Sequence, residues 1–199
     1  MSQQASDNLD RAVPGEVHVY GLINEAMRRL VTEVAGADAW SRIARRADTV
    51  ETFAALHYYQ DADTYALVAA ASAELDVAQD ELLRQFGTYW SNRVGPENYA
   101  DVLGATGTSV YSVLHNLDLM HARIQSLYPD LRPPSFAVLE IGPGKLEVHY
   151  TSVRVGLAPF VVGLLEGLGQ LYGTPATVTH VAPPSPAAPY DVFHVALGG

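Results

Sequence analysis

The sequence contains no cysteine. Disulfides, thiolate nucleophiles, iron–sulfur clusters and cysteine-ligated zinc are therefore excluded. Charge is also sparse. Charged residues make up 17% of the chain, and 12 Lys and Arg stand against 22 Asp and Glu, giving a net charge of −10. A surface this acidic repels nucleic acid, although a local basic pocket is still possible. Long apolar runs are missing too. The most apolar stretch, residues 155–168, is interrupted by Gly156, Pro159, Gly163, Glu166 and Gly167. It falls short of the roughly 20 residues that a membrane span needs. The opening residues, MSQQASDNLDRAVPGE, lack the apolar core of a signal peptide. The expectation is a soluble, cytoplasmic protein that binds neither membrane nor nucleic acid.

What is present is a globular composition, 48% hydrophobic, in a chain long enough to bury one core. Residues 1–17 read as a flexible lead-in and 18–199 as a single domain. Leu22, Ile23, Ala26, Met27, Leu30 and Val34 recur at helical spacing, with Gly36 as a stop. Asp38 is a cap for a second helix, and Asp61 or Asp63 a start for a third. Asp76 with Gln79 has the form of a capping box for a fourth. Pro96 suits a first helical turn. A long helix is predicted over Ser109–Leu127, stopped by Pro133-Pro134.

After Pro134 the period changes. SFAVLEI and LEVHYTSV flank a Gly-Pro-Gly turn, a helix follows over about 157–172, and TVTHVA and YDVFHVAL alternate as strands. The fold class is α+β: a helical part over about 18–132, then a part over about 133–199 with a four-stranded antiparallel sheet and one long helix.

Two features stand out chemically. His121 continues the apolar stripe Val110, Leu114, Leu117, Ile124. A neutral imidazole in such a place can ligate a metal or heme iron. On pattern alone, a core histidine with one satisfied hydrogen bond is the commoner reading. The other histidines lack zinc-ligand spacing. Residues 150–154, Y-T-S-V-R, put Tyr150, Ser152 and Arg154 on one face if the stretch is extended. A guanidinium beside two hydroxyls suits a carboxylate or phosphate. An exposed polar strand face is the plain alternative. Gly142-Pro143-Gly144-Lys145 is a turn rather than a P-loop, because leucine and a strand follow the lysine. No G-x-S-x-G motif occurs.

In combination these pieces become specific. HNLDLMHARIQSLYPDLRPPSF at 115–136, followed by YTSVR, resembles the heme nitric oxide/oxygen binding (H-NOX) family, which includes the regulatory domain of soluble guanylate cyclase. YGLINEA at 20 and FGTYW at 86–90 extend the resemblance over nearly the whole chain. The acidic, stand-alone form is most similar to bacterial members. The resemblance implies heme b, with its iron, buried between the helical and sheet-containing parts. His121 matches the proximal iron ligand, and Tyr150, Ser152 and Arg154 match the residues that bind the heme propionates. Pro134 matches a proline that presses the heme out of plane. Ile23, Met27 and Leu164 match distal or heme-packing positions.

Oxygen-binding members have a distal tyrosine three residues before a helical glycine. Here, before Gly163, that position is Phe160. The resemblance therefore implies a sensor, not an enzyme, that binds nitric oxide, with carbon monoxide as a second gas, and excludes oxygen. Trp90, matching a distal-pocket residue, is the one indole N–H donor that could admit oxygen. The partner implied is a separately encoded histidine kinase or diguanylate cyclase. A heme-free interaction module of the same fold and an oxygen-binding member are the alternatives. A heme peroxidase would need a distal proton shuttle, which Phe160, Met27 and Trp90 do not provide.

Overall fold

The structure is a computed structural model and describes residues 18–128, 131–186 and 188–198. The lead-in expected over 1–17 lies outside them. The chain forms two compact units, Met1–Leu82 and Leu83–Gly199. The change from helices to strands near residue 134 falls inside the second unit, because the helices on either side of it pack on the sheet.

In the first unit, β1 (His18–Tyr20) leads into α1 (Gly21–Ala35) and α2 (Ala37–Arg46). After a loop come β2 (Tyr58–Gln60), α3 (Asp61–Leu75) and the start of α4 (Gln79–Tyr89). The stripe of α1 buries Ala26, Met27, Leu30 and Val31. Helix α2 buries Ala39, Trp40, Ile43 and Ala44, and the Trp40 indole donates to the Glu51 carbonyl at 2.7 Å. An ion pair between Arg42 and Glu74 ties α2 to α3.

Sequence reading missed the β1–β2 pair, which is antiparallel. Three residues per strand are too few to show a period. The pair is held by tyrosines: the rings of Tyr20 and Tyr58 pack tilted, 4.6 Å apart, and their hydroxyls meet at 2.6 Å.

Two caps differ from expectation. Gly36 takes the N-cap position of α2, and Asp38 sits in the first turn, where its charge complements the helix dipole. Asp76 ends α3 in the left-handed region (φ 52°, ψ 43°) rather than opening α4. Aspartate tolerates that conformation better than most residues, so the end of α3 claims it and α4 begins later.

The second unit continues through a π-helical turn, Trp90–Val94, then α5 (Gly95–Asn98), α6 (Ala100–Thr106) and α7 (Val110–Leu127). Ser109 and Ser112 cap α7 reciprocally. Pro96 lies in the first turn of α5, as read, but Tyr99 breaks the run before α6. Strands β3 (Ser135–Gly142) and β4 (Lys145–Thr151) form the hairpin. Helix α8 (Ala158–Leu171), β5 (Ala176–Ala182) and β6 (Asp191–Leu197) follow. The sheet is wholly antiparallel in the order β3-β4-β6-β5.

The inner face of the sheet carries Phe136, Leu146, Val148, Tyr150, Val178, Phe193 and Val195. It is covered by Val110, Val113, Leu114 and Leu117 of α7 and by Val161, Leu165 and Leu168 of α8. Each large apolar side chain buried this way is worth about 1.5–3 kcal/mol.

Helix α8 meets the end of α4 and the π turn in an unusually close seam. A side chain at Gly163 would enter the Arg84 backbone, and one at Gly87 would meet the backbone of Phe160 and Leu164. Polar groups close the contact. Thr88 Oγ1 donates to the Gly163 carbonyl at 3.1 Å, Ser91 Oγ to the Leu164 carbonyl at 2.8 Å, and Arg84 grips Glu166 through two bonds. Gly163→Ala is expected to force the helices apart and cost about 1–3 kcal/mol, the usual price of overpacking. Urea denaturation of that variant, with an unchanged midpoint, would argue against so tight a seam.

Outside the core, Glu147 accepts from His149 Nε2 at 2.7 Å and from His194 Nε2 at 3.1 Å. These two bonds hold the Glu147 carboxyl below its ordinary pKa of 4.5. A carboxylate depressed in the folded state adds stability above its unfolded pKa and loses it as pH falls through the folded value. Glu147→Gln should therefore flatten the acid side of a melting-temperature profile below pH 4.5.

Candidate heme site

Of the ten candidate residues, eight lie in the second unit: Trp90, His121, Pro134, Tyr150, Ser152, Arg154, Phe160 and Leu164. Ile23 and Met27 lie on α1 of the first, Met27 fully buried and Ile23 partly.

His121 sits past the buried part of the α7 stripe, where Val110, Leu114 and Leu117 give way to partial exposure. Its ring lies 5.7 Å from that of Phe136. Burial pushes the imidazole below the usual histidine pKa, partly offset by the Pro134 backbone and the Asp118 carboxylate. The ring is thus held neutral, the form that ligates metal. Its Nδ1 is buried with no partner at full hydrogen-bond geometry, although the Pro134 backbone faces the ring closely enough to favour its charged form. A well-satisfied core histidine would close that bond.

The segment before β3 wraps this ring. Asp118, one turn before His121, accepts from the Phe136 N–H at 3.1 Å. Phe136 pairs with Tyr150 across the β3–β4 ladder, with rings 5.2 Å apart. His121, Phe136 and Tyr150 are therefore one contiguous group. Sequence reading overlooked Phe136 and Asp118. The i−3 spacing of Asp118 from His121 was the available signal.

Tyr150, Ser152 and Arg154 do not share a strand face as alternation implied. β4 ends at Thr151. Tyr150 is 4% exposed and faces the core, edge-on to Phe193 at 6.4 Å. Beyond the strand the chain bends, and Ser152 Oγ accepts from the Arg154 N–H at 3.0 Å. This local side-chain turn replaces the ladder. Arg154 Nη1 donates to the Arg132 carbonyl at 3.1 Å, which brings it to the proline segment. Ser152 and Arg154 are brought together by a turn rather than by a pleat, while Tyr150 stays on the strand.

On the other side of the unit, Phe160 packs on Phe86 at 5.4 Å. Trp90, the first residue of the π turn, meets Phe86 edge-on at 6.4 Å. Leu164 lies one helical turn after Phe160, with its carbonyl in the seam.

A mixed fold with the half-buried His121 imidazole beside Phe136 and Pro134 is compatible with a heme-binding domain. The comparisons agree. The family model described as Haem-NO-binding matches residues 20–180, and the chain belongs to that family. Domains of this family bind heme and act as sensors, not catalysts. The chain is 30% identical over 160 residues to the soluble guanylate cyclase gcy-34 of Caenorhabditis elegans, covering 77% of this chain and 23% of that one. It is 30% identical over 91 residues to the guanylate cyclase soluble subunit beta-2 of Rattus norvegicus, covering 46% and 13%. The chain thus spans less than a quarter of the length of these cyclases.

Among solved structures, the unliganded Fe(II) H-NOX protein of K. algicida superposes with a TM-score of 0.78 at 20% identity, covering 91% of this chain and 97% of that one. The H-NOX protein of S. oneidensis in the Fe(II)NO state gives 0.80 at 18% identity, covering 91% and 100%. At this identity these likenesses establish the fold. No helix among the described residues is long and apolar enough to cross a membrane.

Proposed function

We propose that the chain is a nitric oxide sensor of the bacterial, cytoplasmic type that holds heme b through His121. The observation behind this reading is the half-buried, neutral imidazole of His121, whose buried Nδ1 has no partner at full hydrogen-bond geometry. Its surroundings suit a metal ligand better than a packing residue. Bound heme would supply the iron at which a diatomic gas binds. Tyr150, Ser152 and Arg154 present hydroxyls and a guanidinium suited to two carboxylates. Pro134 borders the His121 ring and supplies a rigid apolar wedge. Within the second unit, Leu164, Phe160 and Trp90 are assigned to the gas side.

Selectivity follows from the side chains there. Bound oxygen gains from a hydrogen-bond donor, while nitric oxide binds without one. Phe160 has no donor. Nitric oxide, with carbon monoxide second, is therefore the assigned ligand. Loss of His121 as a ligand would free α7, whose Asp118 and Val110–Leu117 stripe hold it to β3 and the sheet. The resulting movement is the signal passed to a histidine kinase or diguanylate cyclase.

An anaerobic absorption spectrum of the reduced protein tests the reading. A five-coordinate ferrous Soret band that shifts with nitric oxide but not with air supports it. A stable oxygen complex would transfer the donor role to Trp90 and make the protein an oxygen-binding member. Absence of any heme band after reconstitution would leave an interaction module.

A further inference from the structure

Building on the heme reading, we propose that Arg154 is a strap as well as an anchor: it ties the Pro133-Pro134 segment to the end of β4, so the side chain assigned to the carboxylates also sets where Pro134 stands. Pro133 and Pro134 have no N–H, so the backbone between Leu131 and Ser135 is poor in donors. No ladder can fix it there, since β3 pairing starts at Ser135, opposite Thr151. Three side chains do the fixing instead. Gln125 Nε2 donates to the Leu131 carbonyl at 3.3 Å. Asp118 accepts the Phe136 N–H on one side of the prolines. Arg154 donates to the Arg132 carbonyl on the other. The turn through Ser152 Oγ holds the Arg154 backbone in place.

Guanidinium chemistry allows both tasks at once. Its five N–H groups lie in one rigid plane, so one edge can remain on a carbonyl while another takes a carboxylate. Lysine keeps the charge but not that fixed fork. A mechanical circuit results. Helix α7 carries Asp118 and His121, the Pro134 backbone borders His121, and Arg154 closes the loop back to Arg132.

Hydrogen exchange of the full chain tests the strap, both as purified and after extraction of bound heme. The strap bond does not involve heme. Arg154→Ala should therefore accelerate exchange at the Ser135 and Phe136 amides several-fold in both preparations, with β5 unchanged. Arg154→Met, which keeps the apolar stem but has no donor, should do the same and serves as the test should the alanine variant fail to fold. Unchanged exchange at those amides overturns the strap, and so does acceleration confined to the heme-loaded protein, which would leave Arg154 an anchor only. If the amides respond in both preparations while hemin titrates into Arg154→Ala as into the parent, the strap stands and the anchoring role assigned above fails.

Discussion

His121→Leu is expected to abolish heme ligation while leaving the heme-free protein as stable as the parent, or more so. A buried donor or acceptor without a partner costs about 1–3 kcal/mol. Leucine removes that cost and fills a similar volume beside Phe136. A core histidine behaves in the opposite way, because its replacement forfeits a hydrogen bond and lowers stability. The two readings therefore differ in sign. Urea denaturation of the heme-free variant gives the sign, and an absorption spectrum after reconstitution gives the ligand. His121→Gly supplies the complement: added imidazole should restore the spectrum by occupying the vacated space. A heme spectrum in His121→Leu identical to the parent's would remove the assignment outright.

The second large effect lies in the core. Phe193 is 0% exposed, in a central strand of the sheet, with Tyr150 edge-on at 6.4 Å and His180 at 4.9 Å. Phe193→Ala should cost about 3–5 kcal/mol, the usual range for truncating a buried phenylalanine. Total stability of a domain is about 5–15 kcal/mol, so this variant should lose a large part of it. Chemical denaturation would show the drop. A loss under about 1 kcal/mol would mean that α7 and α8 can collapse into the gap. Tyr150 rests on the Phe193 ring, so the variant should also weaken heme uptake.

The sequence made some elements legible because their signals are local. The stripe of α7 and its stop at Pro133-Pro134, the β3–β4 hairpin and the alternation of β5 and β6 needed only neighbouring residues. His121 was conspicuous as a polar interruption of that stripe. Signals that depend on partners far along the chain were hidden. β1 and β2 pair across 38 residues between Tyr20 and Tyr58. Asp76 fits a capping box and equally a left-handed C-cap, and only packing decides between them. Residues 150–154 look like continuous alternation. The strand nevertheless ends at Thr151, because Ser152 offers its hydroxyl to the Arg154 N–H in place of a ladder partner. The π turn leaves no compositional trace.

That turn bears on which sequence changes the fold can absorb. Within Trp90–Val94 the Gly95 N–H reaches back to the Trp90 carbonyl, one residue further than an α-helix allows. The segment thus stores a single surplus residue. Removing one residue after Asn92 would restore ordinary α-helical winding. The wide turn already absorbs the roughly 100° that one residue adds in an α-helix, so α5 would keep nearly its present phase. Ser91 and Asn92, which meet Leu164 and Gln170, would keep their hold on α8. The turn is therefore the point at which this helix can change length by one residue without turning its far end.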